Sequence, residues 1–236
     1  MNLDKCKLII TNHKEDVSLE IDQNIIPAEK SVKLLGVIID NGLNFDEHVS
    51  KLCKKASVKL HALSRISYYL STHKLRVIMK AFIESQFGYC PLIWMFHSIK
   101  LNHRINKIHE RALRLVYKNP NISFEELLAK DNTFTIHERN LQRLAIEMYK
   151  RINAISPSIL DEVFPLSSNT HNLRNKNPFN VTNVYSVHQG TETVKYRGPK
   201  TWELVPLEMK ELKPLSRFVK AIKKWKPIGC TCRLCK

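Results

Sequence analysis

The 236-residue sequence contains little glycine, and it has no apolar run long enough to cross a membrane. Its six glycines are too few for a protein built mainly of tight β-turns, so we expect helices to dominate. Because no run of about eighteen apolar residues occurs, we expect no transmembrane span. The N-terminus shows no secretion signal, so the expected location is intracellular, either nuclear or cytoplasmic.

The sequence also lacks the patterns of a complete active site. It has no glycine-rich phosphate loop, and its ten histidines form no Ser/His/Asp or Cys/His arrangement. Metal-assisted phosphoryl transfer needs two or three converging carboxylates. The adjacent acids here all lie in polar or helical stretches: Glu15-Asp16, Asp46-Glu47, Glu125-Glu126 and Asp161-Glu162. We therefore predict that this chain alone is not an enzyme.

Acidic residues are outnumbered, 22 against 38 Lys and Arg, which gives a net charge of +16. Residues 1–44 hold five basic and seven acidic side chains, residues 45–194 hold 21 and 12, and residues 195–236 hold 12 and 3. This excess favours a polyanionic partner, nucleic acid before an acidic membrane. A basic protein that has no such partner is the alternative.

The hydrophobic pattern predicts a fold that is mainly α with a small β portion (α+β), in three segments. Residues 1–44 look like strands, with runs at 7–11 and 17–26 and an apolar strand at 33–40 of the kind that is buried on both faces. These strands are too few to fold well alone, so they resemble the edge of a larger sheet.

Residues 45–156 show helical periodicity. Asn44 and Glu47 resemble a capping box at the start of a long helix that reaches about Leu70, and Ser71-Thr72 caps the next helix. Further helices are predicted at about 99–118, 124–129 and 136–152. Residues 157–236 form a proline-richer basic region, with strand-like pieces at 180–187 and 191–196 and a final helix at about 214–225.

The helix at 99–118 has the most informative pattern. Its cations recur at steps of three and four, which places all of them on one face over about 27 Å. They are Lys100, Arg104, Lys107, Arg111, Arg114 and Lys118. Like charges packed side by side cost stability unless an anion compensates, and a phosphate backbone would do so. We favour nucleic-acid binding over a solvated basic face without a ligand.

A second basic group lies near the C-terminus: Arg217, Lys220, Lys223, Lys224 and Lys226. Trp225 lies beside it and either stacks on bases or anchors the core with Phe218 and Ile222. We predict nucleic-acid binding by Lys220, Lys223 and Lys224 as well.

Six cysteines are present, and we expect no disulfide framework. Cys6, Cys53 and Cys90 lie among apolar neighbours and are predicted to be buried. Cys230, Cys232 and Cys235 supply three of the four ligands of a structural zinc site. A distant histidine or residues outside the chain would supply the fourth; the alternative is a thiol-bearing tail without metal.

Several motifs, in order along the whole chain, resemble the reverse transcriptases of jockey-type non-LTR (LINE) retrotransposons. Asn2-Leu3-Asp4-Lys5-Cys6-Lys7 resembles the palm segment with a lysine that follows the catalytic aspartates, and Val32-Lys33-Leu34-Leu35-Gly36-Val37-Ile38-Ile39-Asp40 resembles the primer-grip strand. The helices that follow resemble the thumb. Residues 101–118 and Thr135-Ile136-His137-Glu138-Arg139-Asn140-Leu141 resemble the helical region downstream of it. Tyr196-Arg197-Gly198-Pro199-Lys200-Thr201-Trp202 with Val205-Pro206 resembles a block near the end of these polyproteins, with Glu203 in place of the usual Asn.

The resemblance implies a role for each segment. Residues 1–44 would be a palm-edge remnant, 45–156 a thumb-like and downstream helical bundle, and 157–236 the C-terminal region. Lys5 would be an accessory palm lysine in an intact Mg²⁺-dependent RNA-directed DNA polymerase, and Leu35, Gly36 and Val37 would lie at the primer grip. We expect a fragment that lacks the catalytic aspartates and the fingers, with Met1 as an internal methionine or fragment start. Its expected partner is a template–primer duplex of RNA and DNA.

Overall fold

The computed structural model describes residues 6–11, 18–21, 23–167, 177–181, 184 and 190–235. Within these ranges the chain is mainly helical and has four short strands, which confirms the predicted fold class. No helix in the described part of the chain is long and apolar enough to span a lipid bilayer.

The strands lie at the beginning of the described chain and are followed by helices. The strands are β1 (Ser18–Ile21), β2 (Asn24–Pro27), β3 (Ser31–Leu34) and β4 (Val37–Asp40). The helices are α1 (Asp46–Ile66), α2 (Thr72–Phe82), α3 (Pro91–Trp94), α4 (Ile99–Tyr117), α5 (Phe124–Asp131), α6 (Ile136–Ile152), α7 (Ile159–Val163), α8 (Val194–Leu204), α9 (Leu207–Lys210) and α10 (Leu215–Ile222). Two 3₁₀ turns, Ser67–Tyr69 and Glu84–Phe87, follow α1 and α2.

Two compact units divide these elements. The N-terminal unit comprises Met1–Cys90 and His97–Ile122, and the C-terminal unit comprises Pro91–Phe96 and Ser123–Lys236. Residues 45–156, which we expected to form one bundle, contribute helices to both units.

The strands form two separate antiparallel hairpins, β1–β2 and β3–β4, rather than the edge of one larger sheet. The predicted strand at 33–40 is wrong because the chain reverses at Leu35 and Gly36, which pairs Leu34 with Val37. Both turn residues have positive φ, 46° and 90°, as a two-residue hairpin turn of type I′ requires. The predicted strand at 7–11 reduces to a single bridge between Leu8 and Ala28.

Helix α1 begins differently from the prediction. Asn44 provides no cap; instead, the Asp40 carboxylate accepts hydrogen bonds from the backbone N–H groups of Asn44 (3.0 Å) and Phe45 (2.6 Å). The helix also ends at Ile66 rather than near Leu70. The Ser71 cap is confirmed, because its hydroxyl accepts from the N–H of Lys74.

Helices α1, α2 and α4 pack together in the N-terminal unit. Their buried side chains recur at helical spacing and include Val49, Cys53, Ala56, Leu63, Leu75, Met79, Leu101, Ile105, Ile108 and Ala112. The buried His48 accepts a hydrogen bond at Nδ1 from the N–H of Ile38 (3.3 Å), which holds β4 on α1. Of the three isolated cysteines, only Cys53 is buried. Cys6 is half-buried, and Cys90 is exposed, contrary to prediction.

The core of the C-terminal unit lies around α6, which spans the predicted residues 136–152. Its aromatic side chains pack on one another; for example, Tyr149 stacks on Phe218 with ring centroids 4.2 Å apart. Trp202 and Trp225 are buried in the same cluster.

The predicted strand at 191–196 is wrong, because α8 begins at Val194 and contacts α6. The predicted piece at 180–187 lies mostly outside the described residues. Gly198 allows the close approach of α8, since a Cβ there would lie 2.7 Å from Phe164 Cε1 and 3.0 Å from Met148 Sδ. Glycine at this position is therefore required by packing.

Candidate nucleic-acid interface

Helix α4 carries the cations that the sequence placed on one face. Its buried stripe runs from Leu101 to Val116, and the helix ends where Lys118 adopts a left-handed conformation before Asn119 and Pro120. At about 100° per residue, all six cationic positions fall within an arc of about 80°. The structure therefore keeps them on one side of the helix, opposite its buried stripe.

We call these six side chains the basic face: Lys100, Arg104, Lys107, Arg111, Arg114 and Lys118. All are exposed except Arg114, which is half-buried. Arg114 forms an ion pair with Glu110 (2.7 Å) and donates to the carbonyl of Ile122. Lys118 Nζ donates to the carbonyl of Leu70.

The other four members of the basic face, from Lys100 to Arg111, have no acidic partner among the residues that the structure describes. Within the described residues, no carboxylate lies within 4 Å of their charged nitrogens. Four adjacent positive charges are thus presented to solvent without compensation.

Two open grooves flank the basic face. The first has a volume of about 910 Å³ and is lined by Asp46, Ser50, Ser98, Ile99, Lys100, Leu101, His103, Arg104 and Lys107. The second has a volume of about 430 Å³ and is lined by Ser67, Tyr68, Arg111, Arg114, Leu115, Lys118, Asn119 and Pro120. Each groove is therefore lined by three cationic side chains. Asp46 adds one negative charge to the first groove.

Two tyrosines that the sequence analysis did not single out lie near the second groove. Tyr68 and Tyr69 are 86% and 83% exposed, and their rings meet edge to face at 5.5 Å. Aromatic rings beside cations suit stacking on bases. The signal was present as two adjacent tyrosines between the end of α1 and the Ser71 cap.

The second basic group lies on and after α10. Arg217 and Lys220 are exposed on the helix, while Lys223 and Lys224 are exposed in the turn that follows it. Trp225 is only 7% exposed, and its carbonyl accepts a hydrogen bond from Gln142 Nε2 (2.7 Å). Of the two interpretations, Trp225 therefore fits the core anchor rather than a stacking platform.

The primer-grip-like residues lie at the tip of the β3–β4 hairpin. Leu35 is 84% exposed, whereas Val37 is buried. Tyr89 supports the tip, because its hydroxyl donates to the Leu35 carbonyl (2.7 Å) and its ring lies 3.4 Å from the position of a Cβ on Gly36. Lys5 lies outside the described residues.

The adjacent acids serve helix starts. Asp46-Glu47, Glu125-Glu126 and Asp161-Glu162 occupy the first turns of α1, α5 and α7, where negative charge favours the helix dipole. Glu15-Asp16 lies outside the described residues.

A separate cluster in the C-terminal unit brings together donors that suit a metal ion. His137 Nε2, Cys232 Sγ and Cys235 Sγ all lie within 4.8 Å of one another, and His137 Nε2 is 3.2 Å from Cys232 Sγ. Cys230 lies near these donors, because both other thiols lower its pKa, but it does not belong to the group of atoms that all lie within 4.8 Å of one another. The described cysteines form no disulfide.

The three sulfurs influence one another strongly. Proximity to Cys232 and then to Cys235 lowers the pKa of Cys230. Cys230 raises the pKa of Cys232, on which Cys235 acts in the opposite direction. Cys230 and Cys232 both raise the pKa of Cys235.

Sequence analysis identified the three cysteines but not His137 as their neighbour. His137 lies in the first turn of α6, where Thr135 and Glu138 form a capping box. It is separated from Cys232 by 95 positions, so only the tertiary structure brings the two side chains together.

Comparison with known proteins provides no relative to support a family assignment. No family model, no curated protein and no solved structure matches the chain.

Proposed function

We propose that this chain is a nucleic-acid-binding fragment of a jockey-type retrotransposon reverse transcriptase, from the end of the palm through the thumb to the C-terminal region. It lacks the catalytic aspartates and binds a template–primer duplex of RNA and DNA. The ordered motifs and the basic face support this proposal.

The single observation that carries the binding function is the set of four uncompensated cations on the basic face. Lys100 and Arg111 lie eleven positions apart on α4, or about 16 Å at 1.5 Å per residue. That length corresponds to the spacing of about five phosphates along one strand of a duplex, at 3.4 Å per phosphate. Repulsion among the four cations destabilises the free protein, and a bound phosphate backbone relieves it.

The first prediction is that binding to a duplex or hybrid depends steeply on salt. Six phosphate contacts give a slope of log K on log salt of roughly −4 to −5. Replacing Lys100, Arg104, Lys107 and Arg111 with Gln removes four of them, so the slope should become shallower by about 3 to 4. Fluorescence anisotropy with a labelled duplex at several salt concentrations measures both slopes.

A matched control separates the basic face from net charge. Lys7, Lys51, Lys150 and Lys200 each form an ion pair at the surface, and replacing all four with Gln removes the same total charge. This control should keep most of the slope, because it leaves the basic face intact. Equal losses in the two variants would show that charge alone determines binding and would contradict the proposal.

Two metals belong to this proposal in different ways. Mg²⁺ would act in the intact polymerase; it prefers oxygen ligands and does not suit the nitrogen and sulfur donors of the cluster described above. Zn²⁺ does suit thiolates and imidazole, and we propose it as the metal of Cys230, Cys232 and Cys235.

The second candidate is a non-enzymatic interaction protein whose basic face binds an acidic protein. The same four uncompensated cations would favour it, since carboxylates pair with Arg and Lys. An acidic protein that remains bound after nuclease treatment and competes with duplex would support this candidate. Binding of duplex by the purified chain without any such protein would favour nucleic acid.

A further inference from the structure

We propose that His137 completes a four-ligand Zn²⁺ site with Cys230, Cys232 and Cys235, and that the metal fastens the C-terminal tail to the start of α6. This inference rests on the proposal that the tail cysteines bind Zn²⁺. It adds that the fourth ligand comes from a helix that is distant in the sequence, and that the bound metal has a structural role.

The distances suit one tetrahedral ion. Zinc bonds of about 2.3 Å to sulfur and about 2.0 Å to nitrogen place ligand atoms roughly 3.5 to 3.8 Å apart. His137 Nε2 and Cys232 Sγ, at 3.2 Å, are slightly closer than this, and Cys235 Sγ lies within 4.8 Å of both. Shifts of up to about 1 Å would therefore bring these donors to coordination distance.

Cys230 supplies the remaining position. Cys230 lies two residues before Cys232, and the spacing Cys-x-Cys-x-x-Cys lets one short loop present three thiolates to the same ion. Gly229 has a φ of 84°, which sets the turn before Cys230, and the N–H of Cys235 donates to the Cys232 carbonyl at 3.1 Å. These turns curl the tail around a common centre.

Contacts outside the cluster position the tail on the C-terminal unit without the metal. Arg197 donates to the Thr231 hydroxyl, and Arg197 also forms an ion pair with Glu192. The Glu192 carboxylate accepts from the N–H of Arg233, whose guanidinium donates to the carbonyl of Phe96. The site is therefore preorganised, because the ligands on either side of the ion are already held in place.

The charges are consistent with zinc. Three thiolates and a neutral imidazole leave a net charge of −1 around the ion, and Arg197 and Arg233 bring positive charge to the same tail. Four ligands close the coordination sphere, which is the arrangement of a structural rather than a catalytic zinc. Such a site would cross-link segments 95 positions apart, so its metal would stabilise the C-terminal unit.

The experiment measures metal content and coordination in the full chain. Elemental analysis of protein purified in limiting Zn²⁺ should give about one zinc per chain, and Co²⁺ exchange should give the d–d bands of a tetrahedral site with thiolate charge-transfer bands. His137→Asn should weaken Zn²⁺ affinity more than about 100-fold, beyond the 10- to 100-fold effect of changes outside the ligand shell. Cys235→Ser, at an exposed position, should weaken it similarly.

Exposed residues of the N-terminal unit provide controls. Cys90→Ser and His73→Asn should leave the zinc content and the Co²⁺ spectrum unchanged, since neither residue belongs to the cluster. Circular dichroism verifies that each variant is folded, and chelator should lower the thermal midpoint of the wild type but not that of His137→Asn.

The possible results test His137 as a ligand separately from zinc binding by the cysteines. If the wild type binds zinc and His137→Asn keeps full affinity with an unchanged Co²⁺ spectrum, His137 is not a ligand and this inference fails, while zinc at the cysteines stands. If the wild type binds no zinc, both fail. Neither result affects the salt dependence of nucleic-acid binding, which is measured separately.

Discussion

Asp40 shows how a single side chain can hold the backbone that leads into a helix. It ends β4 and also accepts hydrogen bonds from the N–H groups of Asn44 and Phe45 at the start of α1. Sequence spacing pointed to Asn44 instead, because a capping box is recognised from residues within the same turn. The actual acceptor comes from the preceding strand, which the spacing does not reveal.

A pair of substitutions tests the hydrogen bonds that precede α1. Asp40→Ala should lower the free energy of unfolding by about 1 kcal/mol, because two backbone N–H groups lose their hydrogen bonds to a charged acceptor. Asn44→Ala should change it by less than about 0.5 kcal/mol. Urea denaturation followed by circular dichroism measures both. A larger loss in Asn44→Ala than in Asp40→Ala would contradict this assignment.

His48 makes the contact between β4 and α1 sensitive to acid. Burial lowers its pKa below the ordinary 6.5, with a smaller contribution from Lys55, and its Nδ1 must be unprotonated to accept from the N–H of Ile38. The unfolded chain therefore binds a proton at a higher pH than the folded chain. Stability is fully present above pH 6.5 and falls as the pH drops toward the lowered pKa.

Hydrogen exchange of the Ile38 amide tests this dependence. After correction for intrinsic rates, protection should decrease as the pH falls below about 6.5. In His48→Gln the amide oxygen can still accept a hydrogen bond but does not titrate, so the dependence should flatten. Equal pH dependence in both proteins would assign the effect to other groups.

At the scale of elements, helix periodicity was reliable where one face is buried. Helix α6 has the predicted bounds, and α4 ends within one residue of its prediction, because apolar side chains recur at steps of three and four in both. The run at 33–40 was predicted as one strand, because a short apolar segment has no periodicity that distinguishes one buried strand from two short strands paired in a hairpin. The turn at Leu35 and Gly36 was the decisive feature.

Helix α8 was missed for a related reason. Thr191, Thr193 and Val194 favour strands, and Gly198 and Pro199 disfavour a helix interior, so propensity opposed the observed structure. The helix forms because it packs against α6 and Phe164. It can approach them closely only because Gly198 has no side chain. Packing therefore outweighs local preference here.

Substitution of Gly198 measures this packing. Gly198→Ala should destabilise the protein by about 1 to 2 kcal/mol, since overpacking costs about 1 to 3 kcal/mol and better helix propensity offsets up to about 1 kcal/mol. Gly42→Ala is a suitable control, because its new Cβ meets the end of the flexible Asn44 side chain. Thermal unfolding should rank Gly198→Ala as clearly less stable. The reverse order would contradict the packing argument.

At the scale of the whole molecule, the sequence pattern predicts binding without catalysis. Primer extension by the purified chain with Mg²⁺, labelled nucleotides and an RNA template should show no incorporation, because no converging carboxylates occur in the sequence. A complete reverse transcriptase provides the positive control on the same template. Incorporation above the level of a heat-denatured sample would show that the chain contains an active site.

The sequence by itself determined the helical class, the basic face of α4 and the three tail cysteines. Each of these depends on residues close together in the chain, where helical geometry or short spacing fixes their relation. Tertiary structure alone decided that Trp225 is buried, that Asp40 binds the backbone that leads into α1 and that His137 meets the cysteines. Those relations depend on which surfaces pack together, and side chains 95 positions apart have no spacing rule that would bring them into contact.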